Sequence, residues 1–268
     1  MRKSLNNHLE YSQRQQGFTL VEVAVVLVII GILIGSFVGS FSDRIETTRR
    51  DNTKKQLAEI RSSLLGFAST WGRIPCPASA SSDGDEAVFG TSCIMPNGFV
   101  PGKILGLNGP YNLDGLLIDS WSNPIRFSVT EQNSNAFTRA GEMRNVTMAL
   151  LTPDLTICRS FTTGATPCPT TDILTDTAPF VILSLGKDGH EFINTASADS
   201  DQGENSSEVV ASANATGENI AYTVAGDTVF VSTGYSSVDS TAGQFDDLII
   251  WVSPYILYDR MIEAGQLP

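Results

Sequence analysis

The sequence is poor in the residues that most enzymes and nucleic-acid binders depend on. Of 268 residues only two are histidines, and 17 lysines and arginines face 29 acidic residues, for a net charge of −12. Phosphate contacts need a basic patch, so no nucleic-acid partner is expected. Neither G-x-S-x-G nor H-E-x-x-H occurs, which removes two common hydrolase signatures. Gly186-Lys187-Asp188-Gly189 lacks the glycine spacing and the following helix of a phosphate loop. Ser184 and several acids lie near His190, but in a serine-rich chain such neighbours arise freely. The chain is therefore expected not to be an enzyme.

Cysteine is also scarce. Cys76, Cys93, Cys158 and Cys168 are the only four, with no C-x-x-C spacing, which argues against a zinc site. An even count in an exported domain favours disulfides. Proximity in sequence suggests Cys76–Cys93 and Cys158–Cys168, although three connectivities exist. Closing a loop of about 15 residues contributes ~3 kcal/mol on the chain-entropy estimate.

What the chain does have is one long apolar run, Phe18 to Phe41, interrupted by Thr19, Glu22, Ser36 and Ser40 among polar residues. A membrane-spanning helix needs roughly 20 mostly apolar residues, and a helix satisfies its own backbone in hydrocarbon. Gly31, Gly35 and Gly39 recur at four-residue spacing, a face that lets another helix approach closely. Glu22 is the anomaly. A carboxylate within an apolar helix costs on the order of 2.5–3.5 kcal/mol on insertion scales, so it either stays wet at the interface or meets a positive partner.

The leader, residues 1–17, is short and polar, with Arg2, Lys3 and Arg14 against Glu10. A secretory signal places its apolar region before a small-residue cleavage site. Here Gly17 precedes the apolar region, so cleavage behind it leaves the helix on the mature chain and takes the net charge to −14. The basic leader is expected in the cytoplasm and the C-terminal bulk outside. A plain uncleaved signal-anchor is the simpler alternative.

Gly17-Phe18-Thr19-Leu20-Val21-Glu22 followed by an apolar helix resembles the type IV pilin and type II secretion pseudopilin family. The resemblance implies cleavage between Gly17 and Phe18 by a prepilin peptidase, N-methylation of Phe18, and anchoring in the inner membrane. It implies assembly with other pilin or pseudopilin subunits, in which Glu22 pairs with the free amine of a neighbour's Phe18.

The pattern predicts an α+β fold: a long N-terminal helix on an antiparallel sheet. Residues 18–41 form its transmembrane or filament-core part and 42–72 an amphipathic extension ended by Gly72 and Pro75. At 1.5 Å per residue such a helix is ~80 Å long. Residues 73–268 form a periplasmic head. Strands are expected at 124–129, 146–150, 180–184, 221–224 and 228–231, and a short helix from Pro254 to Ala264.

Three head segments are similar to those of the major pseudopilin: Asp119-Ser120-Trp121-Ser122-Asn123-Pro124, Leu183-Ser184-Leu185-Gly186-Lys187-Asp188-Gly189 and Asp246-Asp247-Leu248-Ile249-Ile250-Trp251. In that relative the last two flank a calcium loop; here more than fifty residues separate them. The insertion holds Asp199-Ser200-Asp201-Gln202-Gly203-Glu204, whose alternating oxygen ligands suit calcium. The candidate ligands are Asp188, Asp199, Asp201, Asp246 and Asp247, against the reading of a solvated polar loop. The expanded head favours a minor pilin-like subunit over a repeating major one. The alternatives are a pilin-like adhesin whose head binds a ligand and a signal-anchored periplasmic enzyme.

Overall fold

The computed structural model describes residues 17–161, 168–187, 189, 201, 205, 209–213, 219–223, 228–236 and 244–268, with the side chains of 36–42, 209–213 and 219–223 excepted. The leader ahead of Gly17, His190, Asp188 and Asp199 thus lie outside the described residues. The chain divides into two compact units, Met1–Thr48 and Arg49–Pro268. The division falls within the first helix, a little beyond the expected 41/42 boundary.

That helix, α1, runs Leu20–Trp71, 52 residues. It starts two residues after Phe18 and stops where expected. Gly72 takes a left-handed φ of 68° and its N–H donates to Ala68 O at 2.9 Å, a glycine C-terminal stop. Gln266 completes the end by donating from Nε2 to Thr70 O at 3.1 Å.

In the second unit Thr53, Leu57, Ile60, Leu64 and Ala68 are fully buried. Their spacing of three or four residues keeps them on one face. This stripe belongs to a core that also takes Ile74, Val100, Ile125, Phe127, Phe137, Leu257 and Met261. The last two come from the C-terminal helix α3, Pro254–Glu263, which opens with Pro at its first turn, where a missing N–H costs nothing. A one-turn helix α2 spans Glu142–Asn145.

The central sheet has four strands in the order β11-β7-β4-β3: Leu248–Trp251, Phe180–Ser184, Arg126–Val129 and Asn97–Phe99. Every pairing in it is antiparallel. Strand β7 is buried on both faces. Phe180 and Ile182 enter the main core, whereas Val181 and Leu183 enter a second one with Leu155, Ile157 and Phe230. The two-residue period of a strand sends alternate side chains to opposite faces, which is why Phe180-Val181-Ile182-Leu183 reads as an unbroken apolar run.

The second core is covered by a three-stranded sheet, β10-β5-β6, of Val229–Val231, Leu155–Cys158 and Ile173–Ala178. Here β10 runs parallel to β5, a pairing added to the expected α+β arrangement, whose central sheet is antiparallel throughout. Two antiparallel pairs are also found among the described residues: β1–β2, Val88–Phe89 and Ser92–Cys93, and β8–β9, Val209–Ala213 and Asn219–Thr223.

The strand expected at 146–150 does not form. Met148–Leu150 is a 3-10 turn and Leu150 is 63% exposed. The local alternation there had no neighbouring strand to pair with. Both disulfides form as proximity suggested, Cys76–Cys93 and Cys158–Cys168. The first ties the segment after α1 to the β1–β2 hairpin; the second ties the end of β5 to the approach to β6.

Candidate functional site

Gly17, Phe18 and Thr19 precede the first helical residue in non-helical backbone. Phe18 is 86% exposed, and no atom lies within 4 Å of where a Gly17 side chain would begin. Thr19 is the N-cap. Its N–H and its hydroxyl both donate to Glu22 Oε2, at 2.9 and 2.8 Å, and Glu22 N–H donates back to Thr19 Oγ1 at 3.3 Å. This is a capping box, threonine at N-cap and glutamate at N3. The carboxylate also sits at the positive end of the helix dipole. The T-x-x-E spacing was visible in the sequence; reading Glu22 only as an intruder in an apolar run missed it.

Beyond Glu22 the helix presents Val, Leu and Ile side chains on every side through Ile34, all exposed. A helix apolar all round is stable only when something covers it. Gly31 and Gly35 leave open space where side chains would stand; Gly39 falls among the side chains not described. Among the described residues no helix is long and apolar enough to cross a membrane. The described apolar side chains end at Gly35, short of the roughly 20 residues a span needs.

In the second unit the three head segments singled out from sequence meet. Asp119 Oδ1 accepts the N–H groups of Trp121 and Asn123, each at 2.9 Å, and its Oδ2 accepts the Ser184 hydroxyl at 2.6 Å. Asn123 Nδ2 donates to Gly186 O at 2.6 Å, and Lys187 N–H donates to Asp246 Oδ2 at 2.6 Å. Gly186 has φ 66°, and a Cβ there would stand 2.6 Å from Asp246 Cγ. These bonds fasten the start of β4, the end of β7 and the start of β11 at one corner.

Asp247 is buried beside them. Its Oδ2 accepts Asn205 Nδ2 at 2.7 Å. Asn205 also donates to Val231 O at 2.9 Å and accepts Val231 N–H at 2.7 Å, and its own carbonyl accepts Arg126 Nη1 at 3.0 Å. One residue of the long insertion thereby joins β10, β4 and β11. No local signal in the sequence distinguishes Asn205 from other polar residues of the insertion. Burial pushes the Asp247 carboxyl up to about 8, with the Asp246 charge adding to it and Arg126 opposing it. Burial also raises Asp119, against the lowering effect of its hydrogen bonds.

The proposed calcium ligands are only partly brought together. Asp246 and Asp247 share this corner, but the oxygens just named already accept N–H donors. Asp201 lies elsewhere, its Oδ1 accepting Phe161 N–H at 2.6 Å. Asp188 and Asp199 lie outside the described residues. Among the described residues no group of three His, Cys, Asp or Glu side chains converges to hold a metal. Ser184 is fully buried and donates its hydroxyl proton to Asp119.

Residues 12–38 match the family described as the prokaryotic N-terminal methylation motif. No curated protein and no solved structure matches the chain.

Proposed function

We propose that this chain, which carries the N-terminal methylation motif characteristic of type IV pilins and pseudopilins, is a minor structural subunit of a filament assembled from the inner membrane. The parent machine is a type II secretion system or a type IV pilus. One observation carries the reading: Gly17-Phe18-Thr19-Leu20-Val21-Glu22 runs directly into a 52-residue helix, Leu20–Trp71, which beyond Glu22 is exposed and apolar all round in its first part.

In this reading prepilin peptidase cuts between Gly17 and Phe18 and methylates the new amine. Residues 18–41 hold the subunit in the inner membrane until neighbouring helices replace the lipid. Close approach is favoured at Gly31 and Gly35, where small residues leave room. Glu22 pairs with the Phe18 amine of an adjacent subunit, a charge match that sets the axial register. The head stays on the periplasmic side and has no catalytic role.

A second reading, a tip subunit whose head binds a ligand, draws support from Phe89, 82% exposed on the β1–β2 hairpin. Large exposed aromatics are common at recognition surfaces.

The test is the mass of the N-terminal peptide of protein purified from its native membrane. A chain beginning at N-methylated Phe18 is the expected result. An intact Met1 leader in cells with an active prepilin peptidase would overturn the reading.

A further inference from the structure

A cavity of about 310 Å³ opens in the second unit between the Cys76–Cys93 disulfide, the β1–β2 hairpin and the segment before α2. Two arginine–glutamate pairs border it, and they differ in kind. Arg73 grips Glu86 with both terminal nitrogens, at 2.6 and 2.9 Å, and Glu86 Oε1 also accepts Cys76 N–H at 2.7 Å. The Arg73 guanidinium lies over the Phe67 ring at 5.1 Å. Both partners are largely buried, so this pair is a fixed wall.

Arg139 is not so occupied. Its ion pair to Glu142, Nη2 to Oε1, is long at 3.7 Å, and its Nε is enclosed with no hydrogen-bond partner. Arginine's strongest mode is the two-pronged grip on a planar anion, and Arg139 has none. Its side chain remains about a third exposed at the cavity, free to turn its fork inward.

We propose that this cavity binds a singly charged carboxylate through Arg139. Glu142 holds the guanidinium loosely in the unbound state and gives way to the ligand. The two glutamates balance the two arginines, so the site neutralises one negative charge once Glu142 moves off and disfavours a dianion. Val88 and the disulfide of Cys76 supply an apolar flank for an aliphatic stem, as in small-molecule sites where few polar groups fix orientation. The proposal stands apart from filament assembly and uses none of the N-terminal residues.

The experiment follows the arginine Nε–Hε resonances of the full chain in detergent micelles during titration with propionate, inorganic phosphate and N-acetylglutamic acid α-amide. The expected result is a saturable propionate shift of one arginine resonance that is absent in Arg139→Lys, which keeps the charge but loses the fork. Glu142→Gln leaves Arg139 in place and removes its competitor, so it should tighten propionate binding severalfold. Tighter binding of the glutamate amide than of propionate assigns the site to an acidic side chain of a partner protein; equal binding assigns it to a free aliphatic acid. No saturable shift, an Arg139→Lys chain that responds like the parent, unchanged affinity in Glu142→Gln, or phosphate binding as tight as propionate would overturn the proposal.

Discussion

Thr19 and Glu22 hold each other at the start of α1 through three reciprocal hydrogen bonds of 2.8–3.3 Å. The same carboxylate is the one proposed to meet a neighbour's amine. Within a single chain it accepts the N–H and the hydroxyl of the N-cap Thr19, whose Oγ1 in turn takes the Glu22 N–H of the first turn. In a filament it would keep that job while its charge is matched from outside. The two roles separate by substitution. Glu22→Gln preserves a capping-box residue and removes the charge; Thr19→Ala removes the cap and preserves the charge. Glu22→Gln should be cleaved normally, remain helical and fail to enter filaments. Thr19→Ala should lose on the order of 1 kcal/mol of capping stabilisation yet still enter them. Filament fractions from sheared cells check both. Equal incorporation of Glu22→Gln and parent chain sinks the charge-pairing account.

In the proposed function, leader removal depends on Gly17, the residue before the cut. The backbone at Gly17 is open to solvent, with nothing within 4 Å of its missing side chain. Gly17→Ala should therefore leave the fold intact and act on the peptidase alone. The expected outcome is accumulation of the uncleaved chain, read as the mass of the N-terminal peptide, with an unchanged unfolding midpoint.

Asn205 is where a long insertion is pinned to the head. Its side chain makes three hydrogen bonds while 3% exposed. Asn205→Ala strands Val231 N–H, Val231 O and Asp247 Oδ2 without partners. A buried group left unsatisfied costs about 1–3 kcal/mol, so this substitution should cost several kcal/mol in total. A fall in the urea midpoint without a change of slope would show it.

Much of this architecture was legible wherever the controlling signal is local. The buried stripe of α1, its glycine stop and the C-terminal helix follow from periodicity and punctuation. The disulfides join nearest neighbours in sequence. The three head segments marked by resemblance do meet, because Ser184 bonds to Asp119, Asn123 to Gly186 and Lys187 to Asp246. The failures are non-local. The parallel pairing of β10 with β5 depends on how the insertion returns, and residues 146–150 alternate like a strand without finding one. Asn205 carries its role through partners 26 and 42 residues away.

Gly186 tests how tightly that corner is built. Its φ of 66° disfavours any side chain, and a Cβ would stand 2.6 Å from Asp246 Cγ and 2.7 Å from Asp246 O. Gly186→Ala must therefore push β11 from β7 or break the Lys187–Asp246 bond. A loss of more than about 2 kcal/mol is expected, as for strain added to an overpacked site. Thermal unfolding measures it. A control at Gly141, also of positive φ but with open space around it, should cost less, about 1–2 kcal/mol, from backbone strain alone.

The buried acids give the head a pH dependence of definite sign. Asp247 is raised from an ordinary 3.8 to about 8, and Asp119 is raised as well, both chiefly by burial. A carboxyl whose folded pKa exceeds its unfolded value binds more protons when folded. Its stabilisation is complete below the unfolded pKa and is lost as pH climbs through the folded one. For Asp247 that window runs from about 4 to about 8. Each tenfold difference in proton affinity between folded and unfolded chain corresponds to about 1.4 kcal/mol, so the loss across the window is on the order of a few kcal/mol. Asp247→Asn cannot ionise and keeps an oxygen to accept Asn205 Nδ2. Its stability should fall less steeply over this window, so that it is at least as stable as the parent at pH 8 and gains least at pH 4. Urea unfolding of both chains at several pH values decides the matter. Parallel curves would mean that Asp247 ionises in the folded head as easily as it does in the unfolded chain.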